Sequence, residues 1–203
     1  MRMKTKCEAF VLACAVAAQA QSPALTKFHD SVNGVAFRYP AQWSSGNSLV
    51  FYLGSLILIG VQPGAGPDAP QANVGFNATE SKGPYAGTNL NGIQFVYHVA
   101  AATSPDECRK RIWPGRGGPK TMLTGEKIHG VAFDHAFWKD AGLGHQADRD
   151  IYATFRDGHC YMFEEDIHTV SMDNVNPLTE GQLKQLRREL DSVMQSVRIR
   201  GAR

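Results

Sequence analysis

The chain predicts an α+β fold in which antiparallel strands carry helices packed on them. Two alternating runs turn back at Asn33-Gly34 and at Asp157-Gly158, pairs suited to the tight turns of antiparallel hairpins. Leu183, Leu186, Leu190, Val193, Met194 and Val197 recur at helical spacing. Ser104-Pro105-Asp106-Glu107 reads as a capped helix start. No internal repeat or domain linker interrupts the chain, so one domain is expected.

Taken in order, Phe28 to Tyr39 forms a hairpin with a primed turn at Asn33-Gly34. Pro40 ends its second strand, because proline has no N–H for a ladder, and Trp43 then covers the open end of the core. Leu49 to Val61 is a further strand-rich run, broken at Gly54-Ser55, and Pro63 to Pro70 is a loop. Ala72 to Ala78 and Ile93 to Ala101 read as strands, separated by an exposed loop, SKGPYAGTNLNG. In the helix from Ser104 to Ile112, Asp106 and Glu107 sit at the positive end of the dipole and Arg109, Lys110 and Arg111 at the negative end. Dipole pairing accounts for these bases without a nucleic-acid ligand.

Asp150 to Val170 is the clearest hairpin. A two-residue turn at Asp157-Gly158 opposes Arg156 to His159, Thr154 to Tyr161, Tyr152 to Phe163 and Asp150 to Glu165. The other face carries Ile151, Ala153, Phe155, Cys160 and Met162, so both sides of this hairpin need cover. The C-terminal helix opens on a capping box, Thr179 and Gln182, with Leu178 stapled to Leu183. Arg198 to Arg200 closes as a short edge strand.

Residues 1–20 read as a secretory signal peptide and 21–203 as the domain. Arg2, Lys4 and Lys6 precede an apolar stretch, Phe10 to Ala18, too short to span a bilayer, and Ala18-Gln19-Ala20 is a small-x-small cleavage site. Leu12-Ala13-Cys14 imitates a lipid-attachment site, but the apolar run before it is short. The expected location is extracytoplasmic, periplasmic or secreted, with no membrane span. Of 21 bases and 19 acids, the leader holds three and one, which leaves 18 of each in the mature chain. A neutral domain has no overall electrostatic footprint for nucleic acid. Cys7 and Cys14 leave with the leader, and Cys108 and Cys160 remain to form one disulfide in an oxidising compartment. The capped helix bearing Cys108 is the natural cover for the Cys160 face of the hairpin.

Gly34-Val35-Ala36-Phe37-Arg38-Tyr39-Pro40 with Trp43, and Ser196-Val197-Arg198-Ile199 after the last helix, resemble the PsbP-like family. The resemblance implies an antiparallel twisted β-sheet flanked by helices, an α/β/α sandwich. It imports no catalytic residue. The middle of the chain looks like an exported bacterial subgroup of unknown role, so an oxygen-evolving role is not carried over.

Candidate chemistry is sparse. The seven histidines form no H-x-H or H-E-x-x-H motif, and a zinc site from His129, His135 and His145 stands against the ordinary reading of surface histidines. No G-x-S-x-G occurs, and Gly115-Arg116-Gly117-Gly118 lacks the Lys-Ser/Thr of a phosphate loop. No catalytic residue is assigned. The candidate ligand site is His145, Asp148, Asp150, Glu165 and His168, around a polar loop from Asp140 to Asp150. Opposed carboxylates there make a divalent cation the simplest occupant. No other cofactor is expected. The favoured function is a non-enzymatic module binding a protein or small ligand, and the alternative is a metal-dependent enzyme using the Asp140–Asp150 stretch.

The leader predicts a mature N-terminus at Gln21. N-terminal sequencing of exported material checks it, and a chain that begins at a lipidated Cys14 would overturn it.

Overall fold

Asp157 and Gly158 both take positive φ, 48° and 76°, the geometry of a type I′ turn. The computed structural model describes residues 24–45, 70–78, 83–112, 123–142, 144–171 and 175–200. The leader, the Leu49–Val61 run and nearly all of the Pro63–Pro70 loop lie outside them. The described residues form β1 (Leu25–Asp30), β2 (Val35–Pro40), β3 (Ser44–Ser45), β4 (Ala72–Asn77), β5 (Leu90–Ala101), α1 (Pro105–Arg111), β6 (Thr124–Ile128), β7 (Val131–Gly142), β8 (His145–Arg156), β9 (His159–Val170), α2 (Glu180–Met194) and β10 (Arg198–Ile199). Two antiparallel sheets result, a three-stranded one ordered β1-β2-β10 and a seven-stranded one ordered β3-β4-β5-β9-β8-β7-β6. The fold is α+β, as expected.

The I′ turn sets the β8–β9 register. Arg156 faces His159, Tyr152 faces Phe163, and pairing runs through Asp150–Glu165 to His145–Val170. One face buries Phe95, Tyr97, Phe133 and Phe163 against Phe37 of the small sheet and Leu186, Leu190, Val193 and Met194 of α2. The opposite face packs Ala136, Ile151, Ala153 and Cys160 under Cys108 and Ile112. The hairpin is therefore covered on both sides.

The helices start where their caps dictate. Ser104 Oγ accepts from Glu107 N, but the Glu107 carboxylate accepts from Thr103 N (2.7 Å) and not from the cap residue, so the expected box is displaced by one position. Thr179 and Gln182 close a full capping box on α2. Two of the three α1 bases have structural partners: Arg109 pairs with Asp134 of β7 (2.8 Å) and Arg111 with Glu107 (3.5 Å).

Three expectations change. The β1–β2 connection is Ser31–Gly34, not a two-residue turn at Asn33-Gly34. Asp30 accepts from Val32 N (2.9 Å) and Asn33 N (3.1 Å), which rounds the chain so that only Gly34 needs positive φ (69°). From Gly83 on, the SKGPYAGTNLNG stretch is not simply an exposed loop, because Tyr85 is 5 % exposed and stacks on Phe76 at 5.9 Å. Burial of that ring pulls the segment against the core. The Asp140–Asp150 stretch is not a loop either, since its two ends are the β7–β8 strands, paired as far as Gly142–His145.

The strands β6 and β7 were not among the expected elements. His129 (φ 49°) and Gly130 (φ 84°) make their turn, a less familiar pair than Asn-Gly. His129 Nε2 donates to the Gln195 carbonyl (2.6 Å) just past α2, which holds the histidine in that conformation.

Cys108 and Cys160 form a disulfide with Cα atoms 5.3 Å apart, closing a separation of 52 residues. A Cys108→Ala/Cys160→Ala variant is expected to lose about 4 kcal/mol in the chain-entropy picture, a melting decrease on the order of 10 °C. Calorimetry of variant and oxidised protein measures it, and equal melting temperatures would show that the bridge contributes nothing.

Candidate functional site

Strand alternation decides where the five candidate residues go. Even-numbered residues of β8 and their partners face α2, and odd-numbered ones face the α1 side. Asp148, Asp150 and Glu165 lie on the α2 side. His145 and His168 lie on the other. The sheet thus divides the predicted constellation, and the two histidines do not meet the three carboxylates.

On the α2 side Asp148 is taken by Arg187 (2.7 Å) and Lys139 (3.2 Å). Asp150 accepts from His135 Nε2 (2.8 Å), which leaves His135 Nδ1 to accept from the Thr124 hydroxyl (3.3 Å). The His135 ring stacks on Tyr152 with centroids 4.4 Å apart. Glu165 is 4 % exposed, and its Oε1 has no hydrogen-bond partner. Burial first, then Asp191, Asp150 and Glu126, push its carboxyl well above the usual range. Asp191 of α2, which hydrogen-bonds Glu165, is likewise raised, by burial first and then by Asp150 and Glu126. Among the described residues no three His, Cys, Asp or Glu side chains are arranged to hold a metal ion.

On the other side Asp166, fully buried, accepts from Arg149 Nε (2.6 Å) and Gln94 Nε2 (2.7 Å), with His168 Nε2 3.7 Å away. Burial alone would raise the Asp166 carboxyl, but Arg149, His168 and Gln94 outweigh it and hold it at about 2. His98 pairs with Glu164 at 3.5 Å. These groups satisfy one another inside the sheet, the pattern of a structural network.

A third locus was not anticipated. The outward face of β1-β2-β10 forms a concavity of about 370 Å³. Lys27 and His29 reach it from β1, Arg38 from β2, Arg198 from β10, and Arg200 from just beyond. Ala36 stands at the middle of the row His29–Ala36–Arg198, and its small side chain leaves the hollow. No acid lines it. Among the described residues, Lys27, Arg38 and Arg200 have no ion-pair partner, and Lys27 faces Arg38 directly across the strands. Gly34 matters here because Arg200 packs against it: an added Cβ would lie 3.1 Å from Arg200 Cβ, and Arg200 N donates to Gly34 O (2.8 Å). The signal was legible in outline, since these bases alternate with the buried residues of strands the sequence already places.

No protein-family model matches the chain, and no curated protein matches it. Among solved structures it is similar to a cyanobacterial PsbP from Synechocystis, with 12 % identity, a TM-score of 0.45, and coverage of 89 % of this chain and 95 % of that one. It is similar to LpqN of Mycobacterium tuberculosis, a protein involved in cell envelope biogenesis, at 10 % identity and TM-score 0.45, covering 87 % and 90 %. A Bacteroides thetaiotaomicron structure gives 11 % identity and TM-score 0.43, and the 86 % of this chain that matches spans 48 % of that one. These similarities assign no residue a role.

Glu165 makes stability depend on pH in a definite direction. Its folded value exceeds the ordinary 4.5, so above that pH the native state keeps a proton that the unfolded chain has released. Stability is full below 4.5 and falls as pH rises through the folded value. Asp166 acts in the opposite sense but only below 3.8, which separates the two windows. Glu165→Gln should flatten the decline and raise the melting temperature by roughly 3–6 °C at about pH 8, with little change at about pH 4. A variant that melts lower than wild type at the higher pH would show that the charged carboxylate is required.

Proposed function

We propose that this protein is an exported bacterial binding module without enzymatic activity, and that its ligand seats in the concavity on the outward face of β1-β2-β10. The observation that carries the reading is that hollow: it is floored by paired strands, open to solvent, and lined by cationic groups that have no acidic partner among the described residues. By contrast, Asp148, Asp150, Asp166 and Arg149 are engaged with neighbouring side chains. A rigid strand floor holding polar groups is the usual arrangement for recognition. Export is supported by the leader-like N-terminus and by a disulfide suited to an oxidising compartment. No helix among the described residues is long and apolar enough to cross a membrane.

Hydrogen exchange of the purified protein, with and without a small-molecule extract of the cell envelope, tests the reading. Added protection is expected at the edge strands β1 and β10. Protection confined to the β7–β8 hairpin, or turnover of an extract component that Glu165→Gln abolishes, would overturn it.

A further inference from the structure

Resting on that reading, we infer that the concavity of β1-β2-β10 is a phosphate-group site. Lys27, His29, Arg38, Arg198 and Arg200 converge on one hollow, and opposed cations such as Lys27 and Arg38 destabilise the empty face by mutual repulsion. An anion reverses the sign of that interaction. Three of the five side chains are arginines, whose planar forks match the oxygens of a tetrahedral oxyanion two at a time. Phosphate, with up to two charges and three or more acceptor oxygens, uses more of these donors than a carboxylate does. The neutral balance of the mature chain, 18 bases against 18 acids, makes the concentration of cations on this face a local feature.

The hollow is also preorganised. Ser196 Oγ accepts from Arg38 N (2.7 Å) and donates to Val193 O (2.7 Å), fixing the strand that carries Arg38 to the end of α2. Arg198 Nη1 donates to Val197 O (3.2 Å), which restrains its guanidinium at the rim. Its volume, about 370 Å³, leaves room for the group that bears the phosphate. That group is either the rest of a soluble phosphorylated molecule or the body of a phospholipid whose headgroup enters the hollow.

The test uses the purified exported protein, an Arg38→Gln/Arg198→Gln variant, and a Lys184→Gln/Arg188→Gln control that removes two charges from the exposed face of α2. Inorganic phosphate is titrated while backbone amides are followed by NMR. Shifts confined to β1, β2 and β10 are expected, with affinity falling about tenfold or more in the site variant and unchanged in the control. Phosphatidylglycerol–phosphatidylcholine vesicles form the second arm, beside vesicles of phosphatidylcholine alone. Binding of the anionic vesicles that inorganic phosphate displaces assigns the source to a headgroup, and phosphate binding without vesicle binding assigns it to a soluble molecule. No saturable shift at these strands, or an equal loss in the control, overturns the inference. Saturable binding of a carboxylate or neutral sugar in the same hollow would sink the phosphate assignment alone, whereas ligand protection elsewhere would sink the binding-face reading as well.

Discussion

The register of the β8–β9 hairpin governs everything packed on the large sheet. Because side chains alternate with a period of two, the pairing of Arg156 with His159 assigns each later residue of both strands to a face. Phe163 goes to the main core and Cys160 to the side covered by α1. A slip of one residue would turn Cys160 away from Cys108 and send Phe163 out of its cluster with Phe95, Tyr97 and Phe133. The disulfide, the α1 docking pair Arg109–Asp134 and the seat of α2 all require the same register. A type I′ turn whose twist suits the strands is what selects it.

The second constraint joins the two ends of the chain. β2 lies between β1 and β10, so the three-stranded sheet is complete only when the segment after the last helix joins the first hairpin. Val35, Phe37 and Tyr39 face inward with Ile199, and Ser196 ties its hydroxyl to the Arg38 backbone across a separation of 158 residues. The Gly34–Trp43 and Ser196–Ile199 segments, at opposite ends of the sequence, are thus neighbours in space. This also explains the basic hollow, because the outward residues of those same strands are brought side by side by pairing that serves the core.

Polar groups inside the large sheet divide into two kinds. Asp166 sits among donors that outweigh its burial, so it stays charged. Glu165 sits among carboxyls that add to its burial, so its own carboxyl is held well above the usual range. Two acids one residue apart behave oppositely because a strand sends them to opposite faces. Neither environment is open in the way the β1-β2-β10 concavity is, and their chemistry serves the attachment of α2 and the cohesion of β5, β8 and β9.

By itself the sequence determined what depends on near neighbours. The caps at Ser104 and Thr179, the seam of α2, the Asp157-Gly158 turn and the Asp150–Glu165 opposition are all local or follow from a turn by counting. The Cys108–Cys160 bridge was legible because only one pair remained after the leader was set aside. The β6–β7 hairpin was less legible, since His129-Gly130 is a turn stabilised by the distant Gln195 carbonyl. Tertiary structure alone decided the sites. Strand pairing that continues past Asp150 set His145 and His168 behind the sheet from Asp148, Asp150 and Glu165, and packing of α2 brought Asp191 to Glu165. The fold also gathered Lys27, Arg38, Arg198 and Arg200 into one hollow from three strands. A turn specifies which residues oppose each other, but the convergence of strands from the two ends of a chain depends on the whole core that holds them.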